Sequence, residues 1–123
     1  MNIKQLVIFF GLLMMVGVLW ASSHHPQKFL DNIKGKSDQH IQIYKNFCSN
    51  CHDKKPMLPL GAPIIGDEDA WKKRMSQGRA TVLKHTQEGI GLMPARGGCF
   101  ECSDEQLEMI VNYMINPQKK HQD

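Results

Sequence analysis

Hydrophobic positions form a solid block at the start of the chain and periodic stripes further on, and the two patterns predict different elements. From Leu6 to Ala21 the residues are uninterruptedly apolar behind the single charge of Lys4, and Ser22-Ser23-His24-His25-Pro26 ends the run. A charged start, an apolar centre and the small-residue exit Ala21-Ser22-Ser23 describe a secretory signal peptide over 1–23. The rival reading is an uncleaved N-terminal anchor, although the run is short of the roughly 20 residues that span a bilayer as a helix. Bulky Trp20 beside the cleavage point speaks for retention. Either way the remainder is delivered to the periplasm, soluble after cleavage or tethered to the inner membrane through residues 6–21.

Residues 24–36 show no apolar period and predict a flexible arm. From Ser37, a candidate cap, Ile41, Tyr44, Phe47 and Cys48 recur at helical spacing and place Cys48-Ser49-Asn50-Cys51-His52 at the C-terminal end of a helix. Prolines and glycines make 56–66 an irregular loop. Asp67 to Gln77 predicts a short helix with Trp71 and Met75 on one face, and Thr81 to Glu88 predicts another that Gly89 and Gly91 end. Met93 to Cys102 reads as loop. Ser103 and Gln106 then form a capping box ahead of the stripe Leu107, Ile110, Val111 and Met114, and Pro117 stops that helix. No segment alternates as a strand would. The expected class is all-α, with about four short helices and long loops over a domain at 37–117 and a polar tail at 118–123.

Composition narrows the function classes. The formal net charge is only +3, and the basic residues are scattered rather than clustered, which excludes nucleic-acid binding. The roughly 100 residues after the leader bury comparatively little surface, and domains of that size often lean on a disulfide, metal or cofactor.

Cys48-x-x-Cys51-His52 is the attachment signature of haem c. Two thiols three residues apart at a helix end reach the vinyl groups of one porphyrin, and the following imidazole falls beneath its iron. Two other readings use the same thiols. A thioredoxin-like redox pair needs a β-α setting that is missing here. A zinc site of Cys48, Cys51, Cys99 and Cys102 needs its two pairs far closer together in sequence than they are. Electron transfer also calls for a second axial ligand. Met57 is too near His52 to reach the other haem face, Met75 sits on the apolar side of a helix, and His85 lies mid-helix beside Lys84. Met93, between a flexible Gly91-Leu92 approach and rigid Pro94, is the expected ligand.

Beyond the attachment motif come Gly61-Ala62-Pro63, Gly66-Asp67, Ala70-Trp71, Gly89-Ile90, Met93-Pro94 and Gly97-Gly98-Cys99, then Cys102-Ser103-Asp104-Glu105-Gln106-Leu107 and Tyr113-Met114. In this order the chain, from about Ile41 to Ile115, resembles the class I c-type cytochromes and among them the bacterial cytochrome c5 group. The resemblance implies the class I cytochrome c fold wrapped around one covalently attached haem c. It implies that the Pro63 carbonyl accepts the His52 ring N–H, and that Cys99 and Cys102 form a disulfide. Such a bridge closes a very small loop, so its entropic gain is modest and its main effect is to stiffen the Met93 loop. Asp53-Lys54-Lys55-Pro56-Met57-Leu58 departs from the pattern, being bulky and charged where small residues are expected. Arg96, near the expected haem edge, either meets a propionate or is solvated.

The reading is a one-electron carrier of a bacterial periplasmic respiratory chain, with His52 and Met93 as axial ligands of iron cycling between Fe(III) and Fe(II). The expected donor is a membrane-bound quinol–cytochrome c reductase type complex, and the acceptor a terminal oxidase or soluble reductase. A weak homodimer through an exposed haem edge is a further expectation. The alternatives are a haem-based sensor or peroxidase-like enzyme with a labile methionine ligand, and a thiol oxidoreductase using Cys99 and Cys102.

Overall fold

The computed structural model describes residues 26–118. The signal or anchor segment at 1–23, the tether through 6–21 and most of the tail at 118–123 lie outside the described residues. Among those residues no helix is long and apolar enough to cross a membrane. The fold is all-α: the helices are α1 (Pro26–Ile33), α2 (Gln39–Ile43), α3 (Ser49–His52), α4 (Glu68–Met75), α5 (Arg79–Glu88) and α6 (Asp104–Ile115). A π-helical segment, Tyr44–Cys48, joins α2 to α3, and a 3-10 turn, Ala95–Gly98, precedes α6. Among the described residues the only β pairing is an isolated bridge between Ile90 and Met93.

The segment expected as a flexible arm is largely α1. Pro26 stands at the first helical position, where its missing N–H costs nothing. Leu30 and Ile33, three apart and so on one face, are both buried at 3% exposure. Phe29 packs its ring 6.4 Å from that of Phe47. This short apolar spacing was masked by the polar residues between and around it. Ser37 does not cap α2 either: the helix begins two residues later, and Asp38 receives a bond from Gln42 Nε2 at 2.9 Å.

α2 packs against α6, and α6 against α5. Gln106 Nε2 donates to Gln39 Oε1 at 3.2 Å across the first contact. Arg79 bridges the second, donating to Glu108 and to Asn112 at 2.7 Å each, and α5 accordingly begins two residues ahead of its expected start at Thr81. The capping box of α6 is present: Ser103 Oγ accepts from Gln106 N at 3.2 Å, and Gln106 Oε1 from Ser103 N at 2.8 Å. In α4, Asp67 accepts from Ala70 N at 3.0 Å, with Glu68 and Asp69 in the first turn and Lys72, Lys73 and Arg74 in the last. That charge order suits the helix dipole.

Two loops bring the site together. The loop from Pro56 to Gly66 is sewn to its surroundings by Leu58 N to Asn50 O (2.9 Å), Ile65 N to His52 O (2.7 Å) and Gly66 N to Met114 O (2.8 Å). The second loop turns tightly at Ile90–Met93, where the two residues exchange backbone bonds of 3.1 and 2.9 Å. Gly89 makes that turn possible. Its φ is +84°, and a Cβ there would lie 2.7 Å from Met93 O and 2.9 Å from Ala95 N.

Leu30→Ala is expected to lower the unfolding free energy by about 2–5 kcal/mol in chemical denaturation; a loose arm would leave it unchanged. Gly89→Ala is expected to cost about 1–3 kcal/mol from the backbone angle alone. Its overlap with backbone atoms adds to that, and amide exchange should rise first at Ile90 and Met93.

Candidate functional site

The attachment motif ends the chain of helical turns that begins at Gln39. Ser49 Oγ bonds back to Lys45 O at 2.9 Å and Asn46 Nδ2 to Gln42 O at 2.8 Å across the π-helical segment. Such widened turns occur often at functional sites, and this one lies immediately ahead of the thiol pair. Cys48 and Cys51 are both unpaired and half-buried. Burial, with a smaller contribution from Cys51, pushes the Cys48 thiol up to about 12. A thiol so rarely ionised at neutral pH is a poor nucleophile for thiol exchange.

His52 is buried, and its Nδ1 lies 2.8 Å from the Pro63 carbonyl oxygen. A carbonyl only accepts, so Nδ1 carries the proton. Burial holds the imidazole below its ordinary pKa, against a smaller upward pull from the Pro63 carbonyl. The ring is therefore neutral, and Nε2 keeps its lone pair. Trp71 stacks on it with centroids 6.3 Å apart and planes 21° from parallel. The same indole donates from Nε1 to Ile64 O at 2.9 Å, fixing the peptide next to Pro63.

These groups open on a cavity of about 540 Å³. Cys48, Cys51 and His52 line it from the helix, Pro63 from the first loop and Met93 from the second. Among the other candidate ligands, Met57 is 78% exposed and Met75 packs against the hydrophobic core; neither, nor His85, lines the cavity. Leu107, Ile110, Val111 and Met114 of α6 form another wall. Their stripe was legible in the sequence as core, and it serves both purposes because the cavity lies where a core would be. Phe47 also lines the cavity, a role hidden behind its helical spacing.

Cys99 and Cys102 are joined in a disulfide with Cα atoms 5.4 Å apart. Their sulfurs are spent on each other, so a four-thiol zinc site cannot form. No other cluster of three or more metal-ligating side chains occurs among the described residues. Arg96 lines the cavity with a side chain 24% exposed, and its guanidinium donates to the Cys102 carbonyl and pairs with Asp104 at 2.8 Å. What the site offers is an apolar slot, two reduced thiols, a neutral imidazole and a thioether. That donor set suits a planar apolar ring with a central iron.

The chain is similar to several known proteins. The family described as "Cytochrome C oxidase, cbb3-type, subunit III" matches residues 38–114. Cytochrome c-555 of Chlorobaculum tepidum is 38% identical over 80 residues, covering 62% of this chain and 71% of that protein. Cytochrome c5 of Ectopseudomonas mendocina is 38% identical over 74 residues, 58% of this chain and 82% of the relative. Cytochrome c5 of Azotobacter vinelandii is 32% identical over 74 residues, 58% and 86% respectively. A chain from the solved electron transfer complex of nitrite reductase with cytochrome c matches with a TM-score of 0.55 at 30% identity, over 65% of this chain and 94% of that one. The chain belongs to the class I c-type cytochromes of the c5 group, monohaem electron-transfer proteins with one covalently attached haem c.

Proposed function

We propose that the protein is a one-electron carrier of a bacterial periplasmic respiratory chain, with Cys48 and Cys51 holding the porphyrin through thioethers and His52 and Met93 holding the iron. The observation that carries this reading is the bond between His52 Nδ1 and the Pro63 carbonyl. It fixes the tautomer and leaves Nε2 as the donor atom of a ring that lines the same cavity as Met93. A carbonyl on the far nitrogen also strengthens an imidazole as a ligand. When bound, haem supplies an iron that takes up and releases one electron. Met93 as second ligand beside His52 would favour the reduced state relative to more strongly donating pairs.

The protein's own part is to keep that centre fixed and dry while leaving an edge within reach of partners. Leu58, Leu60, Ile90 and Leu92 line the cavity and are about half or more exposed, so they give its mouth an apolar rim. A rim of that kind suits small, short-lived electron-transfer contacts, and the slight basic excess of the chain favours acidic partner surfaces. The donor is a quinol–cytochrome c reductase type complex, and the acceptor a terminal oxidase or a soluble reductase. The similarity to a chain of a nitrite reductase complex supports the soluble acceptor. With His52 and Met93 both engaged, the iron would carry electrons rather than bind a substrate. Residues 6–21 either leave with the signal peptide or tether the domain to the membrane.

Protein matured with haem is expected to keep it through acid–acetone extraction and to show low-spin bands with the methionine–iron charge-transfer band when oxidised. Met93→Ala is expected to lose that band and to lower the reduction potential while the haem stays attached. Extractable haem would sink the attachment reading. A Met93→Ala protein with an unchanged spectrum and potential would remove Met93 as ligand. A charge-transfer band missing from the unsubstituted protein would favour the ligand-binding sensor or enzyme.

A further inference from the structure

Among the described residues Arg96 is the only one other than glycine with positive φ, at 57°. A side chain in that region costs free energy, and such strain persists only where the surroundings impose it. The local cost is larger still, because Arg96 Nε is buried with no hydrogen-bond partner. Glycines follow at 97 and 98, both also at positive φ, so the backbone here has glycine's conformation throughout and yet carries an arginine.

The guanidinium explains what the strain achieves. It reaches forward past the disulfide to the Cys102 carbonyl and to Asp104, the first residue of α6. Behind it, Cys99 N bonds to Arg96 O at 3.1 Å and Gly97 N to Pro94 O at 3.0 Å. Gly97 backs the methionine: a Cβ there would stand 3.8 Å from Met93 Cε. The loop that presents the thioether is thus anchored to the start of α6 by a side chain as well as by the chain itself.

We propose that Arg96 is a positioning residue, a strut that holds the Met93 loop against the N-terminus of α6 and sets how often the thioether can swing away from the iron. The proposal rests on Met93 being an iron ligand. Of its two bonds, the one to the Cys102 carbonyl matters more. Asp104 is 60% exposed, and its ion pair is weakened by water and salt. A guanidinium bonded to the carbonyl of Cys102, a buried residue, is not screened in that way.

The test uses full-length holoprotein and its Arg96→Gly, Arg96→Lys and Asp104→Asn variants. Glycine relieves the backbone strain and removes the strut, so global stability and loop mobility are pulled apart. Cyanide, which binds ferric iron once the methionine leaves, is expected to enter Arg96→Gly about tenfold faster or more. Amide exchange at Gly97 and Cys99 should rise by a similar factor while exchange in α2 stays level. Arg96→Lys should recover part of the effect, and Asp104→Asn should change either rate less than threefold or so. Unchanged cyanide entry and loop exchange in Arg96→Gly would overturn the proposal, as would a rise shared equally by α2. If Met93→Ala shows that the methionine is not a ligand, the exchange data still decide whether the strut exists.

Discussion

One hydrogen bond organises the site: His52 Nδ1 to the Pro63 carbonyl, 2.8 Å across the base of the cavity. For it to form, the loop from Pro56 to Gly66 must run close under the attachment helix, and every neighbouring bond serves that placement. Ile65 N returns to His52 O, Trp71 holds the Ile64 carbonyl, and Gly66 N ties the end of the loop to Met114 on α6. The imidazole is then held from three sides, by a carbonyl at its edge, an indole on its face and its own helix behind. An imidazole so constrained would, in the proposed role of iron ligand, reorganise little when the iron changes charge, which is what a fast electron carrier requires.

Met93 is held by different means. Its side of the cavity has no long helix to mount the thioether, so a chain of local devices replaces one: the tight turn at Ile90–Met93, the close approach at Gly89, the bridge at Cys99–Cys102 and the Arg96 side chain. Rigidity on one wall comes from secondary structure and on the other from cross-links. Polarity is divided along α6 as well: Leu107, Ile110, Val111 and Met114 face the cavity, while Glu108 pairs with Arg79 of α5 on an exposed face and Asp104, at the start of the helix, pairs with Arg96.

Much of this was legible in the sequence because its signals are local. The attachment motif is contiguous, the capping box spans four residues, and the α6 stripe repeats at helical spacing. What stayed hidden depended on long-range or backbone geometry. α1 was obscured because its apolar residues are few and only burial against the core shows that they suffice. The π-helical turn leaves the spacing of Ile41, Tyr44 and Phe47 helical in appearance. The Arg96 contacts depend on a left-handed backbone that an arginine rarely adopts, and no rule of composition predicts it. The α6 stripe was visible as core, but that it also lines the cavity was not.

The chain contains two Cys-x-x-Cys pairs with opposite fates, one closed at Cys99–Cys102 and one open at Cys48–Cys51. Four cysteines permit three pairings, and an oxidant does not by itself distinguish one pair from another. Biogenesis therefore faces a problem of order. The second pair must be oxidised while the first stays available for thioether formation, so the two events have to be separated in time or by a dedicated reductant. Once haem is attached, both sulfurs of the first pair are spent in thioethers and the question is closed. The hazard therefore falls on the chain before haem is attached, while all four thiols are still free to pair.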